Sequence, residues 1–336
     1  YPPPPAPAPA PGAAPGRYNN VDVLSRATVG GRARDLAFVG DRGRDRVRVH
    51  EVDGRGSAAG AGVLRDVTDP AARPVFSGSE EEVDGQRTAY GPAAGVVGRA
   101  PVVVVVVNRR NETRVALLRV VPAAGGTVGT SVVSTLDLPS SFPLPGGGVW
   151  APCGEPGEGP QLEGTVVGSR HGVLYAAQED VGVWRVPLRA SGFGEPVPVD
   201  RVRSFGVPQT YDPVAEECAV SGPDPGVGGR VLEADAEGLT AADGYLIASS
   251  QGDSRFVAYE RTGRNRYVGS FAVGAGRGND PVEHPDGAHA VTADLGPRYP
   301  EGLLVVHDGE RRPAAGESDT TGFAYVSWAD VLDELG

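Results

Sequence analysis

The amino-acid sequence predicts an all-β protein, and a β-propeller in particular, from its composition and from a repeated pattern of strands. The chain has 336 residues, of which 50 are Gly, 31 are Pro and 40% are hydrophobic. Such a chain has many turns, yet its apolar content is enough for a sizeable core. No apolar run approaches the roughly 18 residues that a membrane helix needs, and long helical bundles are also excluded.

Five short apolar runs carry the repeat. Each run ends in a polar cluster, and the first four are followed by a second, alternating run. Apolar runs of about four to eight residues between Gly and polar turns are typical of strands. Similar units of four strands favour radial repetition, although the pattern alone leaves a β-sandwich possible. The runs are DLAFVG at 35–40, VVVVVV at 102–107, GVLYAA at 172–177, GYLIAS at 244–249 and GLLVV at 302–306.

The two ends of the chain differ from this repeat. Residues 1–16, YPPPPAPAPAPGAAPG, predict a disordered, solvated tail that cannot pack into a core, so the propeller domain is expected over 17–336. Residues 322–331, GFAYVSWADV, are expected to form either one more strand or a short terminal helix. The chain begins with Tyr1 and contains no Met, which indicates a sequence that starts inside a longer precursor.

Charge and cysteine content narrow the function classes. The formal net charge is −12, which disfavours nucleic acid as a partner. All 31 basic residues are Arg, so Arg is expected to do here what Lys does in relatives. Cys153 and Cys218 lack the spacing of a zinc site, and either one disulfide in an exported protein or two inert thiols would suit them.

Acidic residues beside glycine turns are the strongest candidates for chemistry. In a propeller the innermost strands converge on a central channel, so polar residues from different units meet there. Asp235 and Glu237 lie two residues apart and would share one face of a strand, where they repel unless a cation or proton lies between them. Oxygen ligands of this kind suit calcium rather than zinc. Any one of these acids alone is more simply a solvated turn residue, but they recur in successive units: Glu163, Glu179, Asp235, Glu237 and Asp286, with the amide of Gln251.

Basic residues follow two of the apolar runs. Arg42, Arg109 and Arg110 stand there, with Tyr90 upstream of the second run. Guanidinium groups bind phosphate in a bidentate manner, so these side chains are candidates for an anionic substrate. Most of the other arginines are expected to be solvated surface residues.

Several motifs together resemble those of the β-propeller phytases, also called alkaline phytases. The resemblance covers roughly residues 17–336. It rests on NNVD at 19–22, QLEG at 161–164, AAQED at 176–180, DAEGL at 235–239 and LIASSQGDSRFVAY at 246–259, with RNRYV at 264–268, DG at 286–287 and LGPRYP at 295–300.

This resemblance implies a six-bladed propeller whose channel holds several calcium ions. It implies a phosphoric monoester hydrolase of the 3-phytase type that removes phosphate from phytate, myo-inositol hexakisphosphate, usually as its calcium complex. A metal-bound water would attack phosphorus, and no covalent enzyme intermediate is required. The implied calcium ligands are Asp22, Glu163, Glu179, Asp235, Glu237, Gln251 and Asp286, of which Glu163, Glu179 and Glu237 are the catalytic candidates. Arg42, Tyr90 and Arg109 match phosphate-contacting positions.

The chain also departs from the family pattern. The N-terminal D-D-P-A-[IV]-W motif and a Lys-bearing phosphate loop are absent, and the Pro/Ala tail stands in their place. About one blade is therefore expected to be missing, which agrees with five units instead of six. Residues 138–160 and 208–230 look like insertions with one cysteine each, and we expect a Cys153–Cys218 disulfide to join them.

These observations predict a secreted, calcium-dependent phytase, expected to be a monomer with neither a nucleic acid nor a membrane partner. The main alternative is a non-catalytic calcium-binding propeller, either decayed or serving as an interaction module. A phosphodiesterase or lactonase propeller would suit the fold, but not the NNVD and DAEG motifs.

Overall fold

A computed structural model of the chain describes residues 17–54, 63–98, 102–108, 112–169, 171–276, 280–312 and 320–336. The Pro/Ala tail at 1–16 and the phosphate-binding candidate Arg109 lie outside these ranges. Within them, no helix combines the length and the apolar character needed to cross a lipid bilayer. The chain forms two compact units: unit 1 comprises the described parts of 1–139, 157–174 and 186–196, and unit 2 comprises 140–156, 175–185 and the described parts of 197–336.

The first sheet of unit 1 is antiparallel, with its strands in the order β1-β2-β3-β4. A two-residue turn, Gly30-Gly31, joins the first two strands, and its φ angles are 61° and 77°. Positive φ at both central residues gives the turn that matches the twist of a hairpin, and glycine adopts it without strain. The strands are β1 (Tyr18–Val29), β2 (Arg32–Asp41), β3 (Arg46–Val52) and β4 (Leu64–Asp66).

The second sheet has the order β5-β6-β7-β8 and follows a short helix, α1 (Glu80–Asp84). The valine run at 102–107 lies in its second strand, and these side chains are at most 2% exposed. A strand buried on both faces needs an uninterrupted apolar run, which explains the pattern. Val104 and Val106 pack in one core with Leu36 and Phe38 of the first sheet. The strands are β5 (Ala89–Val96), β6 (Val102–Asn108), β7 (Arg114–Pro122) and β8 (Val128–Asp137).

A small hairpin, β9 (Phe142–Pro143) with β10 (Val149–Trp150), precedes the third sheet. That sheet has the order β11-β12-β13-β14, and a further strand, β15, also pairs with β13. Its strands are β11 (Leu162–Gly168), β12 (Val173–Gln178), β13 (Gly182–Arg189), β14 (Gly192–Phe193) and β15 (Val197–Arg201).

The fourth sheet lies in unit 2 and has the order β18-β19-β20-β21. A second small hairpin, β16 with β17, precedes it. The turn Asp243-Gly244 joins β18 to β19 with φ angles of 44° and 90°, again the two-residue hairpin geometry. These strands are β16 (Gln209–Asp212), β17 (Glu217–Val220), β18 (Ala236–Ala242), β19 (Tyr245–Ser250), β20 (Arg255–Glu260) and β21 (Tyr267–Phe271).

The fifth sheet has three strands in the order β22-β23-β24 and leads into a terminal helix, α2. Trp328 at the start of α2 is fully buried, and its Nε1 donates to Asp243 Oδ2 at 2.9 Å. Trp328 packs with Ile247, Phe256 and Leu304 in the core of unit 2. These elements are β22 (Ala288–Val291), β23 (Leu303–Arg311), β24 (Thr320–Ser327) and α2 (Trp328–Leu335).

The described residues therefore confirm an all-β propeller in the form of five blade sheets. A sixth blade and the loss of the first one stay predictions. The C-terminal segment forms a strand and also a helix, where the sequence left a choice between the two. Each of the two expected insertions carries a short hairpin of its own, which the sequence did not predict.

Candidate metal centre

Three carboxylates gather in unit 2 because main-chain hydrogen bonds hold their segments together. Glu179 and Asp180 form the turn after β12, which the Val181 N–H closes by donating to the Gln178 carbonyl at 2.9 Å. Asp235 directly precedes β18. The Ala236 N–H donates to the Glu179 carbonyl at 2.9 Å, which fixes the start of β18 against this turn.

The side chains of Glu179, Asp180 and Asp235 each offer a carboxylate oxygen within 4.8 Å of the others. All three are partly buried. Burial, followed by the charges of Asp235 and Glu179, raises the pKa of Asp180 to about 7. Like charges at this spacing are stabilised by a cation, and three carboxylate oxygens are hard ligands of the kind that calcium prefers.

Sequence analysis placed Glu179 and Asp235 among the candidates but missed Asp180. Asp180 is the last residue of the AAQED motif, which the sequence analysis quoted without naming this residue as a ligand. Its position next to Glu179 could have identified it, since two adjacent acids in one tight turn both lie close to the same neighbouring segment.

A buried hydrogen bond from a tryptophan supports the end of β12. Trp184 Nε1 donates to Gln178 Oε1 at 2.8 Å, and Gln178 is fully buried. This bond joins the residue before Glu179 to β13. The turn that carries Glu179 and Asp180 therefore follows a strand end that this hydrogen bond holds in place.

A second pair of predicted ligands, Glu237 and Asp286, also lies in unit 2. Their carboxylate oxygens lie within 4.8 Å of each other. The Gly238 N–H donates to the Asp286 carbonyl at 2.8 Å, and a Cβ at Gly238 would lie only 2.6 Å from that oxygen. Glycine is thus required for this close approach of two segments of the chain. Glu237 is buried, whereas the Asp286 side chain is 52% exposed and lies 4.0 Å from His307 Nδ1.

Gln251 is placed by its main chain near the first cluster. It begins a single helical turn after β19, and its N–H donates to the Asp235 carbonyl at 3.0 Å. Its side chain is partly buried. A role for its amide as a calcium ligand stays a prediction.

Unit 1 contains the predicted phosphate contacts and Glu163. The Arg42 guanidinium lies over the Tyr90 ring, 5.6 Å from its centre. Burial lowers the pKa of Arg42, whereas Tyr90 and Glu163 act in the opposite direction. Glu163, in β11, is 4% exposed and accepts a hydrogen bond from Gln161. Arg42, Tyr90 and Glu163 thus share one electrostatic environment.

Asp22 lies in β1, and its carboxylate accepts hydrogen bonds from main-chain N–H groups. Its Oδ2 accepts from the Ala94 N–H and its Oδ1 from the Val23 N–H, each at 2.8 Å. The first of these bonds joins β1 to β5. Calcium binding by Asp22 stays a prediction beside this structural role.

Cys153 and Cys218 are joined by a disulfide in unit 2, with their Cα atoms 6.0 Å apart. Cys218 lies in β17, and Cys153 follows the β9–β10 hairpin. The bond thus connects the two inserted segments across 65 residues of sequence.

Comparison with known proteins begins with solved structures. A humanized mutant of the Chaetomium thermophilum Polycomb Repressive Complex 2 aligns with a TM-score of 0.43 and 10% identity, over 89% of this chain and 51% of that one. Regucalcin, a calcium-binding protein from Agrobacterium tumefaciens strain C58, aligns with a TM-score of 0.42 and 11% identity, over 91% of this chain and 76% of that one. Both scores lie below 0.5, so neither likeness bears on function.

Sequence comparison is more specific. The chain is 28% identical to the 3-phytase of Bacillus subtilis (strain 168) over 328 residues, which are 96% of this chain and 70% of that protein. A sequence model of the family described as Phytase matches residues 220–336, which include Asp235, Glu237, Gln251 and Asp286. Both comparisons find phytases, which confirms the resemblance seen in the motifs.

Proposed function

We propose that this chain is a calcium-dependent phosphomonoester hydrolase that removes phosphate from phytate, as a 3-phytase does. The observation that carries the proposal is the cluster of Glu179, Asp180 and Asp235 in a chain that resembles phytases. Phytate is a polyanion, and a protein of net charge −12 would repel it. Cations held by carboxylates reverse that local field.

The donor set supports calcium. The cluster offers oxygen ligands only, which suit calcium better than zinc. Glu179, Asp180 and Asp235 would hold the ion, with Glu237 and Asp286 as ligands of a further one. When bound, calcium would supply positive charge beside the phosphate group and lower the pKa of a water molecule.

The chain's own part in catalysis is to bind and orient the phosphate. Arg42 stays charged despite its lowered pKa, since a guanidinium is not deprotonated in proteins. Its forked N–H groups would donate to phosphate oxygens whose charge grows in the transition state. The Tyr90 ring beneath the guanidinium limits its movement. Arg109 is proposed for the same task on sequence grounds.

The direct test measures phosphate release from phytate with added calcium and with excess chelator. Release that requires calcium is the expected result. Glu179→Gln and Asp235→Asn should each lower kcat by at least about 100-fold, the usual loss when a group stabilising transition-state charge is removed. Asp333→Asn, on the exposed face of α2, is the matched control and should keep full activity.

The non-catalytic calcium-binding propeller predicts a different pattern. It would show no phosphate release in either condition, yet calcium would still raise the thermal unfolding midpoint. If calcium caused no phosphate release and also no stabilisation, that result would contradict the metal centre itself. The 3-phytase type is tested by chromatography of the first pentakisphosphate product.

We also infer that the protein is exported and monomeric. The Cys153–Cys218 disulfide supports export, because such bonds persist in oxidising compartments. A thiol titration of the non-reduced, unfolded protein should find no reactive thiol, and two would contradict the bond. Light scattering of the purified chain checks the monomer.

A further inference from the structure

The lining of a cavity in unit 1 includes none of the residues assigned above. The cavity measures about 430 Å³, and its lining includes Arg44, Arg46, Ser77, Ser79, Glu80 and Val83. Ligand cavities typically span about 300–1,000 Å³, so a small molecule would fit here. Two of these six side chains carry guanidinium groups and one carries a carboxylate, so the lining has a net positive charge.

Neither guanidinium has a carboxylate partner in the part of unit 1 that the structure describes. Arg44 is exposed, whereas Arg46 is partly buried and its Nε atom lacks a hydrogen-bond partner there. Burial, followed by the charge of Arg44, lowers the pKa of Arg46, whereas Asp41 and Asp66 act in the opposite direction. Two like charges therefore face one space, and an anion between them would relieve the repulsion.

The neighbouring acids form their hydrogen bonds with other groups, but Asp41 Oδ1 has no hydrogen-bond partner among the described residues and the charges of Asp41 and Asp66 partly offset that of Arg46. Asp41 and Asp66 both bind Arg48, at 2.9 and 2.8 Å. Asp45 accepts from the Ser77 hydroxyl at 2.8 Å, and its carboxylate is fully buried.

Two further acids lie on the helix beside the cavity. Glu82 is held by Arg87 at 2.6 Å and by the Gly78 N–H. Glu80 is the acid in the cavity lining itself. As the one carboxylate among the described residues of the lining, it would compete with any anion that binds there.

We propose that this cavity binds a phosphate group through Arg44 and Arg46. Guanidinium forks match phosphate oxygens in bidentate geometry, and a tetrahedral oxyanion has enough oxygens for both. The Ser79 hydroxyl accepts from the Glu82 N–H at 3.3 Å and retains its own proton to donate to a third oxygen. Free phosphate and a small organic phosphate share this chemistry, and the experiment below separates them.

The proposal goes beyond hydrolysis and does not depend on the carboxylate cluster. It is therefore tested without turnover and without calcium. Isothermal titration calorimetry of the full chain in chelator uses inorganic phosphate in one arm and myo-inositol hexakisphosphate in the other. Binding of inorganic phosphate identifies a free-phosphate site, and binding of the hexakisphosphate alone identifies a site for an organic phosphate.

The variants decide whether the binding belongs to this cavity. Arg44→Ala with Arg46→Ala should weaken binding about tenfold or more, since charge-assisted bonds are lost. Arg119→Ala removes an exposed guanidinium of β7 in the same unit and should change the affinity less than about twofold. Equal losses in both variants, or none in the double variant, would overturn the proposal.

Glu80→Gln guards against a loss that merely reflects poor folding. Removing this carboxylate should tighten phosphate binding about two- to threefold, because the competing charge is gone. A gain of affinity cannot arise from a folding defect. Unchanged or weaker binding in this variant would also contradict the assignment.

Discussion

Two aspartates in this molecule, the fully buried Asp45 and the partly buried Asp180, have opposite surroundings. Asp45, in unit 1, is fully buried and receives four donors: the Phe76 and Ser77 N–H groups at 2.6 Å each, and the Ser77 hydroxyl and Ala89 N–H at 2.8 Å each. Burial raises its pKa, and the donors oppose that rise. Asp180, in unit 2, has a pKa raised by burial and by two further carboxylates.

The difference separates a structural acid from a candidate metal ligand. A carboxylate whose lone pairs are satisfied by the chain needs nothing from solution, and its negative charge organises the surrounding loop. Carboxylates that face one another repel unless a cation or a proton lies between them. The surroundings of an acid therefore indicate its role better than its burial does.

The largest expected effect is at the satisfied aspartate. Asp45→Asn keeps the shape, and Asn tolerates the positive φ of 46° at this position. Its amide group would nevertheless face backbone N–H donors, so the free energy of unfolding should fall by about 2–3 kcal/mol. Urea denaturation measures this change. A loss below about 0.5 kcal/mol, within the usual range of surface substitutions, would show that the four donors are satisfied without the charge.

The same substitution at the repelling aspartate should act in the opposite direction. In chelator at pH 8, Asp180→Asn should raise the free energy of unfolding by about 1 kcal/mol, because one of three like charges is removed. The variant should also lose most of the stabilisation that we expect calcium to give the unsubstituted chain. Asp333→Asn serves as the control, with no expected change in either condition. Destabilisation by Asp180→Asn in chelator would mean that the three charges are balanced within the protein.

The smallest expected effect concerns an acid paired with arginines, an intermediate case. Hydrogen bonds from Arg34 and Arg65 lower the pKa of Glu51 to about 2, from an ordinary value of 4.5. A lowered pKa in the folded state contributes stability above pH 4.5, and this stability is lost as the pH falls toward 2. Glu51→Gln should remove part of the acid dependence, and because its amide oxygen can still accept from Arg34, it should cost about 1 kcal/mol at pH 7. Unfolding curves between pH 7 and pH 2.5 test this, and parallel curves for both proteins would contradict it.

Much of the fold follows from the local sequence pattern. The valine run of β6 and the Asp243-Gly244 turn are each indicated by residues that lie next to one another in the sequence. The small hairpins β9–β10 and β16–β17 were missed because strands of two to four residues carry no periodicity.

The candidate site was less accessible to this reasoning. The hydrogen bond from the Ala236 N–H to the Glu179 carbonyl joins segments far apart in sequence. The individual acids could therefore be identified from their glycine-flanked turns, but the local sequence does not indicate which of them lie together. Asp45 was not singled out at all, since its donors come from residues 76, 77 and 89.

The Cys153–Cys218 bond has a consequence for how the protein would withstand proteases. The tip of the β16–β17 hairpin is highly exposed, with Val214 91% accessible. A cut there separates residues on either side of position 214, but one fragment keeps Cys153 and the other keeps Cys218. The nicked chain would stay covalently whole and migrate as one band until a reductant is added. The exposed hairpin can thus be cleaved without releasing either half of the molecule.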